Sequence, residues 1–549
     1  MQLRQGGALV ASLVAVPLAL STVDALAQHL THVPSANPKI VGVTSPTVLS
    51  PELAQIVRAQ GSMLVENASD PYNYYGYVND HSNLIPPMGS NVEATKTEPD
   101  KNTYLILRGL KGADPRYDYG THFLFQGHEG PFGGAVGGKG YITRINLDAD
   151  VAHRVTLLAT QDKAGAPLPL FDGSTWNPFA QRLLFTSEGN GTSTGGVWQV
   201  TPDSPAVVEG LLGVIGRGGF EGIQNDSAGN VWLVEDIGGS TVETNAKLPN
   251  SFIYRFVPKN AHDLMQGGKL QALQVMSKAN PGRPIEFQTA SALTQDMTDL
   301  HTYGKVFDTS WVTVHDTDKD GTMPFNANQA AKDNHATPFK RPENGVFRPG
   351  SHFGEFFFTE TGDTSNTSMA NPNHGGWGGI MKLTQPGPSA NHGKLTLFFR
   401  GDREHTSFDN IAFWSEHRVA VVEDRGDGLH KDANALDSGW LLDTRKDYSD
   451  AGNKPIRIIA QGRDPSATID SGLLGTSGFV NDGDNEITGI HVSDGDPGHG
   501  GILGAKIPRP FKDGWRVFYT QQHGDNVTYE IIRAPRGDGD DDDDHDHRR

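Results

Sequence analysis

Acidic and amide side chains recur at the ends of short β-forming runs in this chain. Six runs share one form, in which a turn is followed by alternating β-forming residues and then by a polar or acidic residue. They cover residues 119–129, 179–188, 230–236, 354–360, 418–424 and 516–522. Carboxylates brought close together repel one another and raise each other's pKa values, and bound cations relieve that repulsion. The pattern therefore indicates a metal-binding centre.

A second acidic residue precedes several of these runs at a regular distance. Glu221 lies 14 residues before Glu235, and Asp409 lies 14 residues before Glu423. Glu343 stands at a similar distance before the end of the fourth run. This spacing fits a β-hairpin of about five residues out, a turn and about five residues back. Because a hairpin brings both polar ends to one edge of a sheet, we expect acids from several hairpins to meet.

One group of carboxylates is predicted to converge on this centre. Its members are Glu129, Glu188, Glu221, Glu343, Asp409 and Glu486. Carboxylate oxygens without thiolate favour hard ions, so calcium is the first expectation, with manganese, magnesium or ferric iron after it. The chain contains no cysteine, which excludes thiol nucleophiles, zinc–thiolate sites and iron–sulfur clusters.

The peptide 340–344 adds positive charge to this acidic set. Arg341 offers a planar fork suited to two phosphate oxygens, and Pro342 restrains the backbone between it and Glu343. Beside metal-bound carboxylates, a guanidinium would complement the charge of a phosphoryl transition state. The same peptide also fits an Arg–Glu ion pair that joins two parts of the fold. The residues alone leave both interpretations open.

Short strands should position these side chains. The chain holds 66 glycines and 33 prolines, and long helical periodicity is scarce. We predict an all-β fold, a six-bladed β-propeller with inserted loops and short helices. A sandwich or jelly roll would not repeat one acidic strand-end motif about six times. The predicted propeller spans residues 101–535, with an insertion at about 259–340, and follows a partly irregular N-terminal segment at 28–100.

The two ends of the chain differ in composition from the predicted propeller. Residues 1–27 read as a secretory signal peptide, because an apolar run too short to span a bilayer precedes Ala25-Leu26-Ala27. We therefore expect a periplasmic or extracellular protein. Residues 536–549 form an aspartate-rich tail that should be disordered. The net charge of −19 argues against nucleic acid or an anionic membrane as a partner.

Several of these peptides resemble the PhoX-type alkaline phosphatases, exported six-bladed propellers. The similarity runs weakly from about residue 104 to residue 533. It is most specific at Gly127-His128-Glu129 (Asn-His-Glu in the family), Thr186-Ser187-Glu188 (Cys-Glu-Glu), Phe220-Glu221-Gly222 (His-Glu-Gly), 341–344 (Arg-Pro-Glu-Asp), 409–413 (Asp-Asn-Leu-Ala-Phe), and 486–489 with 520–523 (Glu-x-Thr-Gly and Gln-His). The resemblance implies hydrolysis of phosphate monoesters at a centre that combines calcium with iron.

The resemblance also implies roles for individual residues. Glu129 and Glu188 would be ligands on the iron side. The ligands on the calcium side would be Glu221, Glu343 and Asp409. Arg341 would contact phosphate. The family places an iron-bridging cysteine in the segment that corresponds to residues 172–176, where this chain has none. Asp172 could supply an oxygen in its place.

Three functions are compatible with these residues. The first is a metal-dependent phosphatase acting on a small phosphorylated substrate, which the carboxylates and Arg341 favour. The second is another propeller hydrolase, of the lactonase or phosphotriesterase type, which would not need Arg341. The third is a non-catalytic calcium-binding or interaction protein, favoured by the missing cysteine and the acidic tail. The first is the function that the sequence predicts.

Overall fold

A computed structural model describes residues 30–34, 47–78, 95–130, 139–188, 194–433, 435–461, 486–522 and 526–535. The predicted signal peptide and the predicted acidic tail lie outside the described residues. No helix in the described ranges is both long enough and apolar enough to cross a membrane.

Strands make up most of the regular structure. In chain order they are β1 (Thr47–Leu49), β2 (Leu53–Ala59), β3 (Leu64–Ser69), β4 (Tyr72–Tyr74), β5 (Pro99–Ile106), β6 (His122–His128), β7 (Ile142–Asn146), β8 (Val155–Ala159), β9 (Ser174–Asn177), β10 (Arg182–Ser187), β11 (Gly196–Val200), β12 (Val208–Gly210), β13 (Phe220–Asn225), β14 (Val231–Glu235), β15 (Thr241–Glu243), β16 (Ala246–Lys247), β17 (Ile253–Pro258), β18 (Gly268–Val275), β19 (Val306–Asp316), β20 (Gly345–Phe347), β21 (Glu355–Glu360), β22 (Gly379–Thr384), β23 (His392–Arg400), β24 (Phe408–Phe413), β25 (Arg418–Glu423), β26 (Ser438–Asp443), β27 (Ile456–Gln461), β28 (Glu486–Ser493), β29 (Arg516–Gln522) and β30 (Val527–Arg533).

Helices are short. The α-helices of the described chain are α1 (Gln295–Leu300), α2 (Thr317–Asp320), α3 (Ala327–Asp333) and α4 (Gly426–Ala433), and the 3-10 helices are η1 (Val151–His153), η2 (Leu264–Gln266) and η3 (His499–Gly501). Polar side chains cap three of the α-helices by accepting a hydrogen bond from a free backbone N–H, and Asp316 caps α2 in this way. Thr294 caps α1 and Asn326 caps α3 in this way.

The strands pair into antiparallel sheets, which confirms the prediction of an all-β fold. Strands β5 to β8 form one four-stranded sheet and β9 to β12 another. A nine-stranded sheet has the order β13-β14-β17-β18-β19-β23-β22-β21-β20. Two further sheets consist of β24 to β27 and of β28 to β30. Each gains one strand from the N-terminal segment, because β1 pairs with β27 and β2 pairs with β30. Residues 28–100 thus contribute to sheets at the C-terminal end of the chain.

The segment predicted as an insertion, at about 259–340, contains regular structure of its own. It supplies β18 to the nine-stranded sheet, and β19 then joins two four-stranded parts of that sheet. Large aromatic side chains fill the core at this junction. The ring of Trp232 makes edge contacts with Trp311 and Phe347, each with centroids 5.0 Å apart. Such aromatic pairs add about 0.5–1.5 kcal/mol beyond the area that they bury.

Six strands, β5, β9, β13, β20, β24 and β28, lie side by side around the middle of the molecule, and we call them the inner strands. Each contacts the next along the chain, and β28 returns to contact β5. Threonine side chains on β21 and β29, which pair with the inner strands β20 and β28, also bind the next inner strand. The hydroxyl of Thr359 donates to the backbone carbonyl of Asp409 at 2.7 Å, and the hydroxyl of Thr520 donates to that of Asp100 at 3.4 Å. The last of these bonds links the final sheet to the first.

Candidate metal centre

An acidic or hydroxyl side chain stands at or just before the start of each inner strand. The residues at this place are Asp100, Asp172, Glu221, Glu343, Asp409 and Thr488. Each follows proline or an apolar residue and precedes glycine, asparagine or lysine. In β5, β13 and β24 the pairing register shifts across the acid. A β-bulge of this kind adds one residue to a strand and redirects a side chain, which is why bulges are frequent beside functional sites.

Glycine follows two of these acids because the inner strands approach one another closely there. A Cβ atom at Gly173 would lie 2.0 Å from the carbonyl oxygen of Glu221, and one at Gly222 would lie 2.7 Å from that of Glu343. The N–H of Gly222 also donates to the Glu343 carbonyl at 2.8 Å. Only glycine allows backbones to pack at this distance. The contact therefore fixes the separation of neighbouring acids.

Three groups of carboxylates are close enough to hold metal ions. In each group, one ligand atom from every member lies within 4.8 Å of the others; the groups are Asp100 with Glu129 and Asp172, Asp172 with Glu188 and Glu221, and Glu221 with Asp236 and Glu343. Asp172 and Glu221 each belong to two groups. The three groups therefore form one continuous arc, along which a shared carboxylate can bridge neighbouring cations.

Burial and mutual repulsion raise the pKa values of several carboxylates in this region. Burial raises the pKa of Asp172, and the charge of Asp100 raises it further. For the Glu221 carboxyl, burial and then the charge of Glu343 raise the pKa well above its usual range. The pKa of Asp409 rises to about 7, first through burial and then through Asp100. Cations bound in the arc would remove this penalty on ionisation.

The remaining predicted ligands belong to the same electrostatic cluster. Burial and the charge of Asp236 raise the pKa values of both Glu188 and Glu343. The Glu486 carboxyl lies at the start of β28, and its pKa is raised by burial, then by Asp424 and Asp409. All six predicted carboxylates and Asp172 thus act on one another. The structure brings them into one region of the molecule.

Among the described residues, two buried oxygens of these seven carboxylates have no hydrogen-bond donor. They are Oδ1 of Asp172 and Oδ2 of Asp409. An unpartnered polar atom in a buried site costs on the order of 1–3 kcal/mol, and a charged one more. A cation at each would supply the missing partner. The site consists of carboxylate oxygens without sulfur, so its chemistry fits hard cations such as calcium.

Sequence reasoning missed Asp100 and Asp236. The signal for Asp100 was present, because it occupies the same place in its hairpin as Glu221 and Asp409. Asp100 lies much further before Glu129, however, than the 14 residues that separate the two acids of two other hairpins, so the spacing did not indicate it. Asp236 directly follows Glu235, the last residue of β14, and the hairpin spacing pointed to Glu235 instead.

Some acids of the strand-end motif have a structural role instead. Glu235 accepts hydrogen bonds from the backbone N–H of Phe252 at 3.1 Å and from the hydroxyl of Tyr254 at 3.0 Å. Glu423 accepts from the backbone N–H groups of Thr406 and Ser438. These carboxylates join adjacent loops and strands. The strand-end motif therefore contains both ligand candidates and structural acids.

Arg341 lies at one end of the arc, in contact with two carboxylates. Its guanidinium donates to Asp236 through Nε at 2.9 Å and through Nη2 at 2.7 Å, and Nη2 lies 3.4 Å from Glu343 Oε1. Burial disfavours the charged form, yet Asp236 and Glu343 raise the pKa of Arg341 above its ordinary value. Its backbone has a positive φ of 49°. Both interpretations made from the sequence fit this position.

Comparison with known proteins places these features in context. The model of one family, described as alkaline phosphatase PhoX, matches residues 173–493, which is more than half of the chain. A search of curated proteins finds no match.

Among solved structures, the chain is similar to PhoX of Pseudomonas fluorescens in complex with vanadate, a transition state analogue. The two share 13% sequence identity and a TM-score of 0.52, over 92% of this chain and 98% of that chain. Weaker similarities include YCF48 from Cyanidioschyzon merolae, with 11% identity and a TM-score of 0.28 over 74% and 76% of the two chains. The calcium structure of a family AA12 protein from Trichoderma reesei has 10% identity and a TM-score of 0.29, over 91% and 99%. The first similarity shows a shared fold.

The raised carboxylate pKa values predict how stability depends on pH when metal is absent. Between its ordinary pKa of 3.8 and about 7, Asp409 keeps its proton in the folded state and loses it in the unfolded state. The free energy of unfolding must therefore fall as pH rises through this range. We expect the Tm in EDTA to drop between about pH 4 and about pH 7, and saturating calcium to flatten that dependence. An equal pH dependence with and without calcium, measured by thermal unfolding, would contradict it.

Proposed function

The chain belongs to the PhoX family of alkaline phosphatases, and we propose that it is a metal-dependent hydrolase of phosphate monoesters. The observation that carries this proposal is the continuous arc of buried carboxylates, with Arg341 at one end. Cations bound by the acidic centre would attract the negative charge of phosphate. A guanidinium beside them would bind phosphate oxygens through its planar set of N–H donors.

The metal ions would be held by the three carboxylate groups, with Asp409 and Glu486 beside them. Calcium is the first candidate, because every ligand is a hard oxygen donor, and iron is the second. When bound, such ions supply Lewis-acid stabilisation of the negative charge on phosphoryl oxygens. Asp172 takes the place of the cysteine of the family in this proposal. Its membership of two groups supports a bridging role.

The proposed role of Arg341 is to bind the phosphoryl group of the substrate. Its side chain is 21% exposed, so the guanidinium can be reached from solvent. Asp236 now accepts two of its hydrogen bonds, but Asp236 is also a member of the third carboxylate group. If Asp236 serves a cation, the fork of Arg341 is released to donate to phosphate oxygens. The ion pair of Arg341 with Asp236 is therefore compatible with a role of Arg341 in binding phosphate.

We further propose that the six inner strands are the first strands of six propeller blades. The contact of β28 with β5 and the hydrogen bond from Thr520 to Asp100 support this closure. The propeller would span residues 101–535, and β2 would complete the last blade beside β30. Export through a signal peptide at 1–27 is part of the same proposal, because a short apolar run precedes Ala25-Leu26-Ala27 in the sequence.

The direct test starts from a chain that begins at Gln28. Bound metals are measured by elemental analysis, and turnover of p-nitrophenyl phosphate is then assayed with calcium, with iron and with both. We expect metal to be bound at the centre and phosphate to be released, and EDTA to remove both. A protein that holds its metals yet turns over no phosphomonoester under any of these conditions would overturn the phosphatase proposal.

Replacing Arg341 by alanine separates its two interpretations. If the guanidinium binds phosphate, kcat/KM should fall by about 10²- to 10³-fold while metal content stays near that of the wild type. Arg348→Ala is the matched control, because Arg348 is 19% exposed and pairs with Glu355 away from the arc. An Arg341→Ala protein that fails to fold, or that keeps full turnover, would favour the ion pair as the purpose of Arg341.

Replacing Asp172 by cysteine tests its place in the centre. A thiolate is a softer ligand than a carboxylate, so Asp172→Cys should take up more iron relative to calcium when both are offered. A thiolate-to-iron absorption band would report the new bond directly. Asp172→Asn keeps the shape without the charge and should lose bound metal without gaining iron. Unchanged metal content in both variants would remove Asp172 from the proposed site.

A further inference from the structure

Lys101 is an enclosed cation within the acidic centre. It follows Asp100 in β5, inside the register shift of that strand, and its side chain is 1% exposed. Burial lowers the pKa of Lys101, and four carboxylates oppose that effect by favouring its charged form, those of Asp409, Asp100, Glu221 and Asp172. These belong to four different inner strands or their approaches, so the ammonium lies where several hairpins converge.

The ammonium of Lys101 is held by a neutral group. Its Nζ donates to Oδ1 of Asn344 at 2.6 Å, across a sequence separation of 243 residues. The amide nitrogen of Asn344 in turn donates to Oε1 of Glu221 at 2.8 Å. Within the part of the chain that the structure describes, no carboxylate oxygen comes within the 4.0 Å limit of an ion pair with Lys101. The charge therefore acts on the carboxylates without covering the oxygens that would bind metal.

Lys101 and Arg341 act on different sets of carboxylates. Arg341 contacts Asp236 and Glu343 and is partly open to solvent, so it can turn to a substrate. Lys101 is enclosed, and the carboxylates that act on it include Asp100 and Asp409, which Arg341 does not contact. A fixed positive charge here offsets repulsion that would otherwise need a bound ion.

We propose that Lys101 is a built-in cation of the acidic centre, which sets how many metal ions the centre takes. Its ammonium would occupy the role of one ion, so that fewer metals are bound and the carboxylates stay together when metal is scarce. This inference rests on the proposed function only in taking the centre to bind cations. It assigns Lys101 a positioning role and no contact with the substrate.

The test compares metal content and stability in variants of the full mature chain. Lys101→Met removes the charge and keeps the length of the side chain. We expect it to bind an additional calcium ion per chain by elemental analysis after dialysis against calcium. We also expect its Tm to fall in EDTA by several degrees and to recover in calcium, because the ion takes over the lost charge.

Two variants control for charge and for the hydrogen bond. Lys101→Arg keeps the charge and should keep the metal content of the wild type. Lys332→Met removes a hydrogen bond of the same kind outside the centre, since Lys332 Nζ donates to Asn250 Oδ1 at 2.6 Å. Its loss of stability should be equal in EDTA and in calcium. Unchanged metal content in Lys101→Met, with a loss of stability like that of Lys332→Met, would overturn the inference.

A folding failure also gives a result. If Lys101→Met is insoluble, Lys101→Gln is measured, because it is neutral and can still donate to Asn344. The additional calcium ion is expected there too. Failure of both neutral variants to fold in saturating calcium would overturn the inference, since calcium should replace the charge.

The outcome is distinguishable from that of the proposed function. A wild-type protein without turnover, together with an additional ion in Lys101→Met, contradicts only the phosphatase proposal. Normal turnover with unchanged metal content in Lys101→Met contradicts only the role of Lys101.

Discussion

Repulsion between buried carboxylates is the constraint on which the rest of this structure depends. Five of the six inner strands carry an acid at the same place, and burial removes the water that would screen those charges. The backbone holds the acids together in spite of this. Glycine at position 222 lets one strand approach the next, and threonine hydroxyls such as that of Thr359 bind the carbonyl of an acid on the neighbouring strand. Positive charge must supply the remaining stabilisation.

The buried acids differ in how many hydrogen-bond donors surround them. Both oxygens of Glu423 accept backbone N–H groups, and Oε2 of Glu235 accepts the backbone N–H of Phe252, so both acids join strands to loops. Among the described residues, Asp172, Asp409 and Glu235 each keep one buried oxygen without a donor. An oxygen without a donor is available to a cation, whereas one that already accepts backbone hydrogen bonds is much less so. Absent donors alone therefore do not mark the candidate metal centre, whereas the close approach of three carboxylates in each group does.

The absence of cysteine gives this member of the PhoX family a particular chemistry. A centre made entirely of oxygen donors favours hard ions, and Asp172 lies where two of the carboxylate groups meet. Of the two positive side chains, Lys101 is enclosed and Arg341 is partly exposed. In the proposed phosphatase, charge balance in the centre would be shared between the chain and bound cations.

The amino-acid sequence by itself determined the all-β class, the oxygen-only donor chemistry and a set of acids spaced for hairpins. Those properties follow from composition and from local periodicity, and each can be read within a few neighbouring residues. Tertiary structure decided which acids face the centre. A register shift of one residue turns a side chain to the other face of a strand, so Glu221 and Glu235 have different roles although they share one hairpin. The hydrogen bond from Lys101 to Asn344 also depends on the tertiary structure. The two residues are 243 positions apart in the sequence, and the packing of the inner strands brings them together.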